Sequence, residues 1–277
     1  RPLRLCYAGQ VLRVRGTQLA PARQLAQVGV ELIGGAAPAA DAEVAVVAVE
    51  ALAAVGVTPV SLDVTLPPLV PALFDTARIE PTLRMRLAHA LDRKDSAAVA
   101  ELVEGQDGAL AVLPGLMAAT GPAEGALAAL DAAPLPPAAR AIAENAAAVL
   151  AAIAVRAPGL RITLDPVEFR GFRYHTGVAF TLYGPGMSGE LARGGRYISQ
   201  NDEPATGMSL YPDAVLRAAP PAAPRPRLFV PAGLDGAAFR ARGFATVTAL
   251  APGDTPQRLR CTHEVKDGEA VPVMSKD

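Results

Sequence analysis

The sequence predicts an α+β protein: an antiparallel sheet flanked by helices, with a helical insertion and a small α/β piece at the C-terminus. Three patterns carry that expectation. Stretches that alternate apolar and polar residues lie on both sides of a long helical region, 69–156. The first two of them, 4–15 and 24–34, are joined by a short polar loop, as an antiparallel hairpin requires. The stretch 218–226 is alanine and proline apart from Arg225, a semi-rigid linker between a large domain, 1–217, and a unit over 227–277. At a typical domain size of about 150 residues, a chain of 277 residues fits that division and buries a core without disulfides.

Taken in order, 4–15 is a strand, 16–21 a loop and 24–34 the second strand. The stretch 39–56 is apolar throughout and helical, with Asp41 placed to cap its start and Gly56 to end it. Its alanines predict a close approach to the sheet, since small side chains shorten the helix–sheet distance. A further strand occupies 60–66. From 69 to 156 the signal is helical, broken at Pro81, Gly105, Pro114, Gly121 and 134–137, and Asp95 with Ser96 starts the segment 97–103. Strands return at 160–164, 168–174 and 178–183, the last two joined by a tight turn at 175–177. The stretch 206–211 is a short strand, and 212–217 opens a helix with proline at its first position. Beyond the linker, 227–231, 233–243, 245–250 and 258–265 read as strand, helix, strand and strand.

Composition excludes several classes. The chain is 51% hydrophobic but only 4% aromatic, because alanine and valine carry the apolar count. Charged residues at 19% and a positive mean hydropathy exclude intrinsic disorder. A net charge of −1, from 26 basic and 27 acidic side chains, gives the whole chain no electrostatic footprint for nucleic acid or an anionic membrane. Cys6 and Cys261 form no spaced pair, and with His89, His175 and His263 they build no recognisable zinc site; reduced thiols in the cytoplasm are expected. The most apolar windows, 44–57 and 141–155, are interrupted or flanked by charges, so no bilayer span is expected. No secretory signal opens the chain, and its start at Arg1, within an apparent strand, reads as a fragment of a longer protein.

The chemistry sits in three clusters. Side chains two apart on a strand share a face, so Gln27, Gly29 and Glu31 point one way and Val28, Val30 and Leu32 the other. Polar groups on such a strand face water or a ligand, because unpartnered burial is costly. Arg13 shares its face with Val11 and Arg15, and in a paired hairpin lies near Gln27 and Glu31. The second cluster, Phe169-Arg170-Gly171-Phe172-Arg173-Tyr174-His175-Thr176-Gly177, offers guanidinium groups able to hold a carboxylate in bidentate fashion. The third, Gly194-Gly195-Arg196-Tyr197, reads as a polar loop able to admit an anion. On spacing alone, a solvent-washed sheet face and an exposed strand account for the first two at least as well.

Together the clusters resemble the class II histidyl-tRNA synthetases. Residues 4–13 and 27–34 resemble motif 2 of that family. Arg170-Gly171-Phe172-Arg173-Tyr174-His175 resembles its histidine-specific Arg-Gly-Leu-Asp-Tyr-Tyr segment, Gly194-Gly195-Arg196-Tyr197 its Gly-Gly-Arg-Tyr-Asp loop, and 204–215 its motif 3. The matches are in order from 4 to 217, interrupted by a helical insertion where the family also has one. The resemblance implies a class II synthetase-like fold and puts histidine-binding residues at Arg13, Gln27, Glu31, Arg170, Tyr174 and His175. Chemistry agrees: a zwitterion bearing an imidazole needs a carboxylate for its ammonium, an arginine for its carboxylate, and an amide or ring for its side chain. Glu31, Arg170 or Arg13, and Gln27 or Tyr174 could fill those roles.

The departures narrow the resemblance. The family's motif 2 Glu, used for the adenine end of ATP, is Arg15 here, and the motif 3 Arg that grips the phosphates aligns with Ala214. The Asp after Arg-Tyr is Ile198, and the Asp and second Tyr of the histidine-specific segment are Arg173 and His175. Losing the phosphate arginine removes the charge stabilisation that adenylation needs. Only 227–277 follows the linker, too little for a tRNA-binding domain of about a hundred residues. A synthetase-like body lacking both resembles the regulatory subunits of ATP phosphoribosyltransferase. That likeness implies a non-catalytic chain, required for activity and histidine feedback in the first step of histidine biosynthesis. It implies the short-form catalytic ATP phosphoribosyltransferase subunit as partner, L-histidine as a ligand, self-association, no cofactor, and neither tRNA nor membrane. The alternative is a degenerate synthetase or amino-acid ligase that still activates histidine.

Overall fold

Two ten-residue strands open the chain, β1 (Leu3–Leu12) and β2 (Gln24–Ile33), paired antiparallel with Leu3 opposite Ile33 and Leu12 opposite Gln24. The computed structural model describes residues 1–14, 23–106, 108–168, 174–186 and 189–274; the predicted loop at 16–21, Arg15 and Arg170 lie outside them. Helix α1 (Pro38–Ala54) follows with proline in its first turn. Asp41 does not cap it: the residue before the helix, Ala37, makes no side-chain cap, and Asp41 is fully buried. Its carboxylate instead accepts from Thr206 Oγ1 at 2.5 Å and pairs with Arg196 at 2.9 Å. Those partners are far away in sequence, so local capping logic could not anticipate them.

Strand β3 (Ser61–Thr65) leads into the helical stretch α2 (Leu69–Ala77), α3 (Pro81–Asp92) and α4 (Ser96–Val103), then a 3-10 turn at Gly108–Leu110 and α5 (Leu113–Ala118). The two-residue strand β4 (Gly121–Pro122), α6 (Ala123–Ala132) and α7 (Pro137–Arg156) complete it. The expected breakers act as starts: Pro81, Pro114 and Pro137 all stand in first turns. Asp95 caps α4, its Oδ1 accepting the Ala98 N–H at 3.0 Å. These helices have no core of their own. Leu69, Leu87, Leu113 and Leu130 belong to the same buried cluster as Leu52 of α1 and Leu62 of β3.

With twenty residues, α7 is long and apolar enough to cross a membrane by length and composition, contrary to the sequence expectation. The helix runs on through Arg140 and Glu144, which the sequence windows treated as boundaries. Its Ala139, Ala143, Ala146, Val149, Leu150 and Ile153 are buried in the shared core, where α7 packs on α1.

Strands β5 (Arg161–Asp165), β6 (His175–Tyr183), β7 (Glu190–Ile198) and β8 (Pro204–Leu210) and helix α8 (Pro212–Ala218) finish this unit, Arg1–Pro220. The sheet order is β1-β2-β8-β7-β6-β3-β5-β4, antiparallel except for the parallel β3–β5 pair. A predicted turn and a predicted loop are strand instead. Residues 175–177 lie inside β6, with His175 opposite Tyr197 and a register shift before Ala179 absorbing the irregularity. Gly194 to Tyr197 form the middle and end of β7, not a loop. There a side chain on Gly194 would run into the Gly207 carbonyl and the Met208 and Phe180 side chains, so glycine serves close packing within the sheet rather than a turn. Of the predicted strand 168–174, residues 169–173 lie outside those described, and Tyr174 is in a turn.

The unit Pro221–Asp277 has a four-stranded sheet, order β10-β9-β11-β12, from β9 (Arg227–Val230), β10 (Ala245–Thr248), β11 (His263–Lys266) and β12 (Glu269–Pro272), with helix α9 (Ala237–Ala241). Its core is small, Leu228, Val230 and Phe239. The predicted strand 258–265 is pairing-competent only from His263, because turns closed by Arg260 N–H to Gln257 O and Cys261 N–H to Pro256 O precede it. Strand β12 was not anticipated.

In the large sheet, strand alternation separates two faces. Leu62, Val64, Leu164, Phe180, Leu182, Ala192 and Met208 are buried in the core cluster that α1 and α7 share. The opposite face carries the polar residues.

Candidate functional site

The strand registers align those polar residues in transverse rows. One row runs Tyr7, Gly29, Ser209, Arg193, Thr181, Asp63, Thr163 across seven strands. The next runs Leu5, Glu31, Gly207, Gly195, Ala179, Thr65, Asp165. A third, shorter row brings Tyr197 opposite His175. Because β2 and β7 both neighbour β8, residues far apart in sequence face one another over a few ångströms.

These rows floor a cavity of about 360 Å³ whose lining includes Arg13, Gln27, Glu31, Tyr174 and His175. Five of the six residues singled out from sequence are therefore brought together there; the sixth, Arg170, lies outside the described residues. Sequence reasoning left out Arg193, Ser209 and Tyr211, and noted Tyr197 without assigning it a role; all four line the same cavity. The signal that could have found them is the strand register, which places Ser209 and Arg193 in the row of Gly29.

Glycines make the room. A side chain on Gly207 would overlap the Glu31 carboxylate, and one on Gly29 would overlap the Tyr7 ring. The Tyr197 hydroxyl donates to Glu31 Oε2 at 2.8 Å, and Tyr7 Oη lies 2.6 Å from Ser209 Oγ. Tyr174 leans on His175 with ring centroids 4.3 Å apart and meets Tyr197 edge-on at 6.4 Å. At the other end the Arg13 guanidinium lies over the Tyr211 ring, 5.8 Å from its centroid.

Burial sets the protonation states. It holds the Glu31 carboxyl above its usual range, against the pull of the Tyr197 hydrogen bond. Burial first, then the neighbouring Glu31, push the Tyr197 phenol far up, so it remains a donor. Burial first, then the Arg193 charge, pull the His175 imidazole down to about 4. At neutral pH the cavity thus offers one carboxylate, two guanidinium groups, a neutral imidazole, and phenol, hydroxyl and amide groups. That set matches a zwitterion with a polar aromatic side chain. Among the described residues, no group of three His, Cys, Asp or Glu side chains could hold a metal ion.

A larger cavity, about 670 Å³, adjoins the first and shares Arg193 and Gly194 with it. Asp63, Asp165, Glu168, Thr163 and Tyr183 line it. Lys94 bridges Asp165 at 2.6 Å and Glu168 at 3.3 Å, and Thr163 Oγ1 donates to Asp63 at 2.8 Å.

The histidyl-tRNA synthetase family matches residues 1–215. Over 261 residues the chain is 53% identical to an ATP phosphoribosyltransferase regulatory subunit of Paramagnetospirillum magneticum, covering 93% of this chain and 68% of that one. The solved structure of an ATP phosphoribosyltransferase regulatory subunit/histidyl-tRNA synthetase from Bacillus halodurans superposes with a TM-score of 0.76 at 23% identity, over 94% of this chain and 71% of that one. A chain of the ATP phosphoribosyl transferase (HisG:HisZ) complex from Thermotoga maritima superposes at 0.61 with 20% identity, over 76% of this chain and 73% of that one. At those identities the structural neighbours establish the fold: a class II synthetase-like sheet and its helices. The chain spans about two thirds of its Paramagnetospirillum relative's length.

Proposed function

The chain belongs to the histidyl-tRNA synthetase fold family and, within it, to the ATP phosphoribosyltransferase regulatory subunits; from that membership we propose that it binds L-histidine on its open sheet face and passes that binding to a separate catalytic subunit. The observation that carries the ligand is the convergence of Arg13, Gln27, Glu31, Tyr174 and His175 on one cavity with complementary charge. Glu31 takes the ammonium, an arginine the carboxylate, and Gln27 with the Tyr174–His175 pair the imidazole.

The chain is a regulatory subunit and does not itself catalyse. The position where synthetases carry the phosphate-gripping motif 3 arginine is Ala214, on α8, whose methyl group is buried in the core cluster. A group that stabilises developing phosphate charge has to be in place before the reaction, and a packed methyl offers none. The partner is the catalytic ATP phosphoribosyltransferase subunit, which the relatives' name and the Thermotoga complex support. Activity and histidine feedback of that subunit then depend on this chain through a coupling free energy between two sites. The same reading makes the chain cytoplasmic, self-associating and independent of tRNA. In support, the apolar helix α7 spends its apolar face on the core rather than on lipid.

Calorimetric titration with L-histidine tests the ligand: saturable binding is expected, abolished by Glu31→Ala. Adding the chain to a short-form phosphoribosyltransferase should raise its activity and confer histidine sensitivity. Robust histidine-dependent ATP–pyrophosphate exchange by this chain alone would reverse the assignment in favour of a surviving synthetase.

A further inference from the structure

We propose that Lys94 is a positioning residue that couples the ligand cavity to the helical stretch, so that occupancy of the sheet face is felt at the turn between α3 and α4. This coupling rests on the reading of the cavity as a histidine site and names the route by which an occupied site reaches another part of the chain.

The backbone marks Lys94 first. Its φ of 53° lies in the left-handed region that favours glycine. Its N–H donates to the Leu91 carbonyl at 3.0 Å, and the Asp95 N–H donates to the Ala90 carbonyl at 2.9 Å. That pair of bonds is the closure of a helix end at which glycine is the common residue. A lysine there bears a conformational cost that glycine would not, and such a cost persists where the surroundings hold the residue in place. Its side chain supplies the hold by leaving the helices altogether. The ammonium lies 2.6 Å from Asp165 Oδ2, at the end of β5, and 3.3 Å from Glu168 Oε2. The Lys94, Asp165 and Glu168 side chains are 35%, 18% and 23% exposed, which sets this bridge apart from the fully exposed pairs that contribute little.

Two carboxylates brought to one ammonium repel each other once it is removed. With Lys94 in place, Asp165 and Glu168 are drawn together, and the Val167 N–H between them donates to Asp165 Oδ1 at 3.1 Å. Both acids belong to the surroundings of the ligand. Asp165 ends the transverse row that carries Glu31. Asp165 and Glu168 line the second cavity, which adjoins the first. Glu168 stands six residues before Tyr174, which leans on His175 at the first cavity. A ligand seated against Tyr174 and His175 favours the arrangement in which Glu168 is held, and Lys94 favours the same arrangement from the helical side. By linkage each then strengthens the other. The Arg84–Asp75 pair, 2.6 Å long, supplies a contrast, because it ties α3 to α2 without touching the sheet.

The test titrates L-histidine into the 277-residue chain and its K94G, K94R and R84Q variants, followed by calorimetry and by backbone amide chemical shifts. In the wild type, histidine should shift the amides of Asp95, Ser96 and Ala98 as well as those of β2 and β7. Glycine suits the turn, so K94G keeps its fold. There the β2 and β7 shifts should persist, the shifts at 95–98 should vanish, and histidine affinity should fall about 5-fold or more. K94R should keep the shifts at 95–98, and R84Q should behave as wild type. Wild-type affinity in K94G, or retained shifts at 95–98, overturns the coupling. Should K94G bind no histidine, K94R decides, and binding there without shifts at 95–98 overturns it equally. If the wild type binds no histidine, the reading of the cavity fails and this inference with it; wild-type binding that shifts the strands alone removes only the role of Lys94.

Discussion

The two faces of the large sheet are made by the same strands, yet they obey opposite rules. The face toward α1 and α7 is apolar and closed, and its exceptions, Arg196 and Thr206, are tied to Asp41. The face away from them is polar and cavity-bearing, and holds a half-buried carboxylate whose ionisation the surroundings resist. Period-2 alternation lets one strand serve both ends at once: β7 sends Arg196 into the core side and Arg193, Gly195 and Tyr197 to the site. One face is organised for stability, and the other is the one we propose receives a ligand. Substitutions one residue apart on the same strand should therefore have different phenotypes.

The largest expected effect breaks the closed face. Arg196 donates to Asp41 and to the carbonyls of Gly35 and Ala37, stitching the start of α1 to β7. Arg196→Ala leaves a buried carboxylate without its cation and should cost about 3–5 kcal/mol of unfolding free energy, measured by urea denaturation. The neighbouring Tyr197→Phe, on the open face, should cost about 1 kcal/mol and act mainly on binding. Equal losses in the two variants would erase the distinction between the faces.

How much of this was legible in the sequence follows from what each feature depends on. The hairpin of β1 and β2, and the grouping of Arg13 with Gln27 and Glu31, are local: alternation and a short loop suffice. The Asp95 cap is also local. Asp41 was misread because an acidic residue near a helix start has an ordinary explanation, while its real partners lie on β7 and β8. Gly194 and Gly195 were misread because glycine pairs usually mark turns; here they let adjacent strands and the His175 ring approach closely. Arg193, Ser209 and Tyr211 were missed because they join the site only once β8 is known to lie between β2 and β7.

A second break targets the open face. Glu31→Gln keeps an acceptor for the Tyr197 hydroxyl but removes the charge that an ammonium needs. Histidine affinity should fall by about 10- to 100-fold, or roughly 1.5–3 kcal/mol, in calorimetry. Stability should hold or rise, because burial already disfavours the ionised carboxyl. A variant that loses stability instead of affinity would assign Glu31 to the structural face.

The third effect is a pH dependence. His175 is buried and its folded value is pulled down to about 4, below the 6.5 of an exposed imidazole. A depressed histidine contributes stability that is complete above pH 6.5 and is lost as pH falls toward 4, since the unfolded chain takes up the proton first. Between pH 7 and pH 4.5 wild type should lose about 2 kcal/mol more than His175→Gln, by urea denaturation at each pH. Parallel curves for the two proteins would mean that the ring is hydrated and the cavity floor more open than the geometry indicates.

The smallest effect asks how far the closed face extends. Val99 and Val103 of α4 are in the same buried cluster as the sheet's apolar face, so the helical stretch and the sheet should unfold as one unit. Asp95→Ala removes only the cap on α4 and should cost about 1 kcal/mol. If the core is shared, that loss shifts the midpoint of the main transition with its slope unchanged, whether followed by far-ultraviolet circular dichroism or by amide exchange in the sheet strands. A separately melting insertion would behave otherwise: exchange in α3 and α4 would quicken while β3 and β6 kept their protection. The shared cluster predicts the first result, because the leucines of α2, α3 and α5 belong to the same buried cluster as Leu62 and Leu164 of the strands.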